Sequence, residues 1–295
     1  EEIPVARRGA GDNCGPLYRS DEPMRPILRI LLPVLAVLHV GLAPAAGDDD
    51  LLRWIDGPQR SEKNRQRDGA RQPAETLAFF GLRADQTVVE IWPSVGVWWF
   101  EILAPYLRDR GQYIAALHAG AHNPAAARAE HEVVERRMTS SPALYGKVKV
   151  AHSPGLTEAV PPDSVDLLLT FSNLHNWMVD GNVEEVVREF HAVLKPGGVL
   201  GVVDHRGRED LSREAQLKSG YLREDEIVAL IEALGFRLVA RGEMAANPRD
   251  TRDYPEGVWT LPPTLRMKDV DREKYLAIGE SDKFTLKFVK IVAPR

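Results

Sequence analysis

Between residues 87 and 205 the chain repeats one pattern: a short apolar run rich in β-branched residues, a turn, then a longer stretch with helical periodicity. TVVEIW at 87–92, QYIAALH at 112–118, KVKVAH at 147–152 and VLGVVDH at 199–205 read as strands, and DLLLTFSNLHNW at 166–177 contains one more. The intervening stretches FEILAPYLRDRG (100–111), PAAARAEHEVVERRM (124–138) and NVEEVVREFHAVL (182–194) read as helices. Parallel neighbours need a crossover, usually a helix, so this alternation predicts βαβ units and a parallel sheet. A helix at 222–236 and two further strands, RLVARGEM at 237–244 and KFTLKFVKIV at 283–292, complete the reading. The expected fold class is α/β, a Rossmann-like doubly wound sheet of about seven strands, mostly parallel with an antiparallel C-terminal strand.

Before the first strand, 47–75 reads as an N-terminal helical segment, and Pro73-Ala74-Glu75 opens a helix that Gly81 stops. Residues 76–295 form the expected main domain, with a Pro-rich loop at about 247–280 that carries a short helix over the ligand cleft. From Met24 the order of Arg25 and Arg29, an apolar run, and Ala43-Pro44-Ala45 before Asp48 is that of a signal peptide over 24–46. The expectation is export, periplasmic or secreted, without stable membrane insertion after cleavage, and an uncleaved anchor is the alternative. Residues 1–23 read as an upstream or disordered extension. The only cysteine, Cys14, lies there, which excludes an internal disulfide framework and a cysteine zinc site. A formal net charge of -5 offers no basic field for a phosphate backbone, so a small-molecule substrate is expected rather than nucleic acid. No motif fixes the oligomeric state.

Ligands of a doubly wound sheet sit outside the carboxyl ends of the strands. Glu90, Trp92, Ser94 and Gly96 occupy the turn after the first strand, where Glu90 orients the turn and Gly96 lets the chain approach a ligand. His118, His152, His175 and His205 each fall at a strand end, so four imidazoles are expected along one edge, able to act as a base or to bind a metal. Separate loop histidines are the alternative, and no residue is assigned as a metal ligand. Asp204, His205 and Arg206 form a polar cluster, in which Arg206 holds a substrate carboxylate or pairs with Asp204.

ETLAFFGL, TVVEIWP with EILAPYL, SNLHNWM, LKPGGVLGVVDHR, and the tail EGVWTLPPTLR with KYLAIGESD together resemble the class I S-adenosylmethionine-dependent methyltransferases. Within them, the resemblance is to a branch of exported methyltransferase-like proteins. It implies S-adenosylmethionine as cofactor, held by Glu90, Trp92, Ser94, Gly96, His118 and His152. It also places Asn173, His175 and Asn176 opposite the transferred methyl group, with His175 the preferred base and Trp177 an apolar wall, unless Trp177 simply packs in the core. Asp204, His205 and Arg206 then face the substrate. Two departures stand out: Ser94 and Val95 replace expected glycines and crowd the methionine end, and Ala116-Leu117-His118 lacks the ribose-binding acid at the second strand end. The expected activity is methyl transfer to a small molecule with a degenerate cofactor turn; the alternatives are a non-catalytic binding protein on the same fold and a metal-assisted enzyme built on the histidine edge.

Overall fold

The computed structural model describes residues 49–120 and 123–291. The stretch expected to be a signal peptide, the residues before it and Cys14 lie outside the described residues. Seven strands, β1 (Thr87–Ile91), β2 (Gln112–His118), β3 (Lys149–Ser153), β4 (Val165–Phe171), β5 (Leu194–His205), β6 (Phe236–Gly242) and β7 (Lys283–Lys290), form one sheet in the order β3-β2-β1-β4-β5-β7-β6. Pairing is parallel from β3 to β5, while β7 runs antiparallel to both β5 and β6. The doubly wound, mostly parallel sheet read from the sequence is therefore present, with the chain direction reversed at its C-terminal strand.

Side chains along a strand alternate between the two faces. In β1, Val89 and Ile91 join a core with Trp177, Val186, Val187, Phe190, Ile227 and Ile231, whereas Val88 joins Leu77, Phe80, Phe100, Ile102 and Leu103 on the other face. Each such fully buried side chain contributes roughly 1.5–3 kcal/mol relative to exposure. On β5, Gly201 allows close packing, since a Cβ there would stand 2.6 Å from Leu169 Cδ2 and 2.8 Å from the Phe80 ring.

The strand after 166 is shorter than its apolar run. β4 stops at Phe171, Ser172 takes a left-handed φ of 58°, and Leu174–Asp180 is a helix, so the SNLHNW stretch turns away from the sheet. The helix at Pro73–Phe80 has proline in its first turn and is closed by left-handed Gly81, φ 80°. Ahead of it lie three short helices, Asp49–Ile55, Glu62–Arg65 and Asp68–Arg71. The Pro-rich loop contains a 3-10 turn at Gly257–Thr260 and a helix at Arg272–Ile278. Among the described residues, no helix is long and apolar enough to cross a membrane.

Candidate active site

β1 and β4 are adjacent where the strand order reverses, which is the place a doubly wound sheet offers to a ligand. The turn beyond β1 is strained: Trp92, Ser94 and Val97 have φ of 50°, 61° and 44°. Left-handed backbone costs an L-residue roughly 1–2 kcal/mol. Gly96 does not carry this conformation, and a Cβ on it would stand at an ordinary 3.6 Å from Ser94 Oγ. The conformational freedom expected of Gly96 is thus demanded of its non-glycine neighbours instead.

Glu130, on the helix Pro124–Ser140, clamps the turn. One carboxylate oxygen accepts from the Ser94 backbone N–H at 2.6 Å and the other from that of His118 at 2.7 Å. Burial raises this carboxyl above its ordinary value, against the opposing pull of the two N–H donors. Trp92 is buried, and its indole N–H donates to the Ser153 carbonyl at 2.9 Å. Its ring stacks on His118 with centroids 3.9 Å apart and meets Trp177 edge-on at 5.1 Å. The indole therefore spans the ends of β2 and β3.

A cavity of about 240 Å³ opens beside this turn, lined by Glu90, Trp92, Ser94, Gly96 and Asn173 among others. Tyr113 donates its hydroxyl proton to Glu90 Oε2 at 2.5 Å, and burial pushes the Glu90 carboxyl up to about 8. Glu90 is consequently protonated at neutral pH. Asn173 donates to the Ile91 carbonyl at 2.9 Å and to Thr170 Oγ1 at 3.2 Å, tying β1 to β4.

A second cavity of about 270 Å³ is lined by His175, Asn176, His205 and Trp259. Both cavities share Arg67, Arg71, Ser172, Pro263 and Lys283 as wall residues. His175 Nδ1 lies 3.0 Å from Asp204 Oδ1, and Asp204 is fully buried. Burial alone would push the Asp204 carboxyl up; His175, then His205 and its backbone N–H at 2.7 Å, outweigh that and hold it below the ordinary range. An ionised carboxylate only accepts, so Nδ1 carries the proton and Nε2 keeps a lone pair. This is the arrangement of an oriented general base. The His205 ring lies 5.0 Å from that of His175, with Nδ1 2.5 Å from Ser281 Oγ, and burial drives its pKa down to about 3.

The four imidazoles do not share an edge site. His175 and His205 meet; His118 packs on Trp92; His152 is exposed and stacks on His131 at 5.1 Å. Ligand atoms of His175, Asp204 and His205 lie within 4.8 Å of one another, a spacing that could hold a metal. Asp204 Oδ1, however, already receives His175 Nδ1 and the His205 N–H, and the Lys283 ammonium acts on His205, both of which oppose an added cation.

Two substrate residues read from the sequence lie elsewhere. Trp177 is wholly buried against Trp92 and Phe190, so it is core and not cleft wall. Arg206 pairs with Glu243 at 2.8 Å and Glu224 at 3.3 Å, so it neither faces the cavities nor pairs with Asp204. Val95 is 56% exposed and does not line the first cavity, so the crowding expected of it there is absent. The sequence reading missed Glu130, Arg67, Arg71, Glu280 and Lys283. Arg67 and Arg71 share helical i,i+4 spacing, a signal submerged in an Arg-rich run, and Lys283 only opens a strand pattern.

A methyltransferase-domain family matches residues 102–202. Over those residues the chain is similar to a methyltransferase domain. Among solved structures, a S-adenosylmethionine-dependent methyltransferase from Aquifex aeolicus aligns with a TM-score of 0.50 and 16% identity over 82% of this chain and 98% of its own. The [4+2]-cyclase SpnF aligns with a TM-score of 0.54 and 16% identity over 83% of this chain and 93% of its own. At such identities the likeness concerns fold alone, and these two neighbours carry different names for their chemistry on one fold. No curated protein matches the sequence.

Proposed function

We propose that the chain is a S-adenosylmethionine-dependent methyltransferase acting on a small molecule, with a degenerate cofactor turn. The observation that carries this is the placement of the His175–Asp204 pair beside the second cavity, which shares a wall with the cavity at Glu90 and Gly96.

The residues present fit the amino-acid end of the cofactor better than its nucleoside. Arg71 and the turn from Ser94 to Gly96 suit the charged methionine end, and Glu90 can ionise against an ammonium group. On the nucleoside side, Trp92 and His118 fill the space over the ends of β2 and β3 with each other. The first cavity is also smaller than the roughly 300–1,000 Å³ of typical small-molecule sites. Binding therefore requires the Trp92 indole to leave its place.

S-adenosylmethionine supplies, when bound, a sulfonium methyl group open to in-line attack. His175 takes the acceptor's proton on Nε2 while Asp204 fixes the ring through Nδ1. Asn176, on the same helix, lines the same cavity and orients the acceptor. Asn173 holds the β1 and β4 ends at fixed separation. The buried indole also favours a second reading, a binding protein that retains the fold without transferring methyl groups. Titration calorimetry with S-adenosylmethionine decides between them: heat of binding is expected, and none at millimolar ligand refutes the methyltransferase reading.

A further inference from the structure

The wall between the two cavities is built from cations. Arg67 Nε donates to Glu280 Oε1 at 2.7 Å and Lys283 Nζ to Glu280 Oε2 at 3.1 Å. The Arg71 Nε is buried and makes no hydrogen bond; Glu280 Oε2 stands 3.6 Å away. One carboxylate thus serves three cations. Lys283 and Glu280 are only 7% and 8% exposed, so water does little to disperse this charge. Burial followed by the charges of Lys283, Arg71 and Arg67 fixes the outcome at Glu280: the cations overcome burial and keep it ionised. Glu90, protonated at neutral pH, adds no negative charge. Asp282, also buried, is engaged by Arg252 at 2.5 Å.

Counting Asp204 as well as Glu280 against the three cations leaves one positive charge uncompensated. S-adenosylmethionine brings an ammonium, a sulfonium and one carboxylate, and so adds a positive charge rather than removing one. Even if Glu90 ionises in response, a positive balance remains.

We propose that the methyl acceptor is an anion, a small carboxylate held by Lys283 and Arg67 in the cavity beside His175. This rests on the methyltransferase reading for the word acceptor, though the anion subsite itself does not. Lys283 and Arg67 line the His175 cavity. Lys283 gives two of its three N–H donors to Glu280 and the Ser281 carbonyl, and Arg67 gives its Nε–H to Glu280. One ammonium N–H and the outer guanidinium N–H groups are left for a ligand carboxylate. Trp259 stands with its ring 6.0 Å from that of His175, giving the same cavity an apolar surface. A hydroxylated aromatic carboxylate matches both features.

The test is titration of the full chain with 4-hydroxybenzoate and with the neutral, near-isosteric 4-hydroxybenzamide, each with and without saturating S-adenosylhomocysteine. The acid is expected to bind about tenfold tighter than the amide, the scale of one charge-assisted hydrogen bond. Lys283→Met should remove that preference and leave the amide unchanged, and Lys283→Arg should retain it. If Lys283→Met fails to fold by its melting curve, Arg67→Gln, at a less buried position, replaces it. Equal binding of acid and amide, or no binding of the acid at millimolar concentration, overturns the proposal. Displacement of the acid by S-adenosylhomocysteine also overturns it, because the anion site would then be the cofactor's own. Acid binding as expected, with no binding of S-adenosylhomocysteine, would uphold the anion site and sink the methyltransferase reading instead.

Discussion

Replacing Trp92 with glycine should make the protein less stable and yet bind S-adenosylmethionine more tightly. The indole is held by one hydrogen bond to Ser153, one stack on His118 and one edge contact with Trp177. Taking about 1 kcal/mol for the hydrogen bond and about 1 kcal/mol for each aromatic contact, vacating the position costs about 3 kcal/mol. A ligand that must displace the ring loses that amount, roughly a hundredfold in Kd. Deleting a buried Trp side chain costs about 3–5 kcal/mol, of which glycine at φ 50° recovers about 1–2 kcal/mol. The net loss of about 1–4 kcal/mol lowers the melting temperature by roughly 2–16 °C for a domain of this size. Calorimetry gives the affinity and a thermal melt gives the stability. A folded Trp92→Gly variant whose affinity for S-adenosylmethionine is unchanged or weaker would refute the idea that the indole stands in the ligand's way.

Three other perturbations follow from the same geometry. Because burial raises the Glu90 carboxyl to about 8, the folded state holds a proton that the unfolded state releases near the ordinary value of 4.5; stability is complete below that value and declines by roughly 1.4 kcal/mol per pH unit as pH rises toward 8. Denaturant titrations between pH 5 and pH 9 should show this decline, and Glu90→Gln should flatten it; an unchanged slope in the variant would assign it to another group. Asp204→Asn should release the His175 tautomer, visible as loss of the protonated Nδ1 signal in nitrogen NMR, and should lower methyl transfer by roughly a hundredfold or more. Retention of that signal would show that Asp204 does not orient the ring. Ser94→Gly should raise stability by about 1 kcal/mol through its φ of 61°, whereas Gly96→Ala should be close to neutral, both read from denaturant midpoints.

The sheet was legible because periodicity is a local property. The ends of β1, β2 and β3 fall within about two residues of the apolar runs. The histidine edge failed for a reason of scale that no single strand reveals. Strands are about 4.8 Å apart, and β3 is four places from β5, so His152 and His205 end up roughly 19 Å apart along the rim. His175 and His205 meet because β4 and β5 are neighbours. Arg67, Arg71, Glu280 and Lys283 come from opposite ends of the sequence, and their shared carboxylate is a tertiary fact with no local pattern behind it.

No acid stands at the end of β2, but a carboxylate from the following helix lies beside it. Glu130 is twelve residues beyond His118, one turn and part of a helix away, yet its carboxylate reaches the backbone N–H of His118 at the strand end and that of Ser94 in the neighbouring turn. A carboxylate has about four lone-pair directions, and two backbone donors use only half of them. Glu130 is buried and lines neither cavity, so this carboxylate meets ligand hydroxyl groups only where the Trp92–His118 stack gives way. That separates two effects a single affinity would merge: loss of Glu130 loosens the turn and removes an acceptor, whereas loss of the Trp92 indole clears space and leaves the acceptor in place.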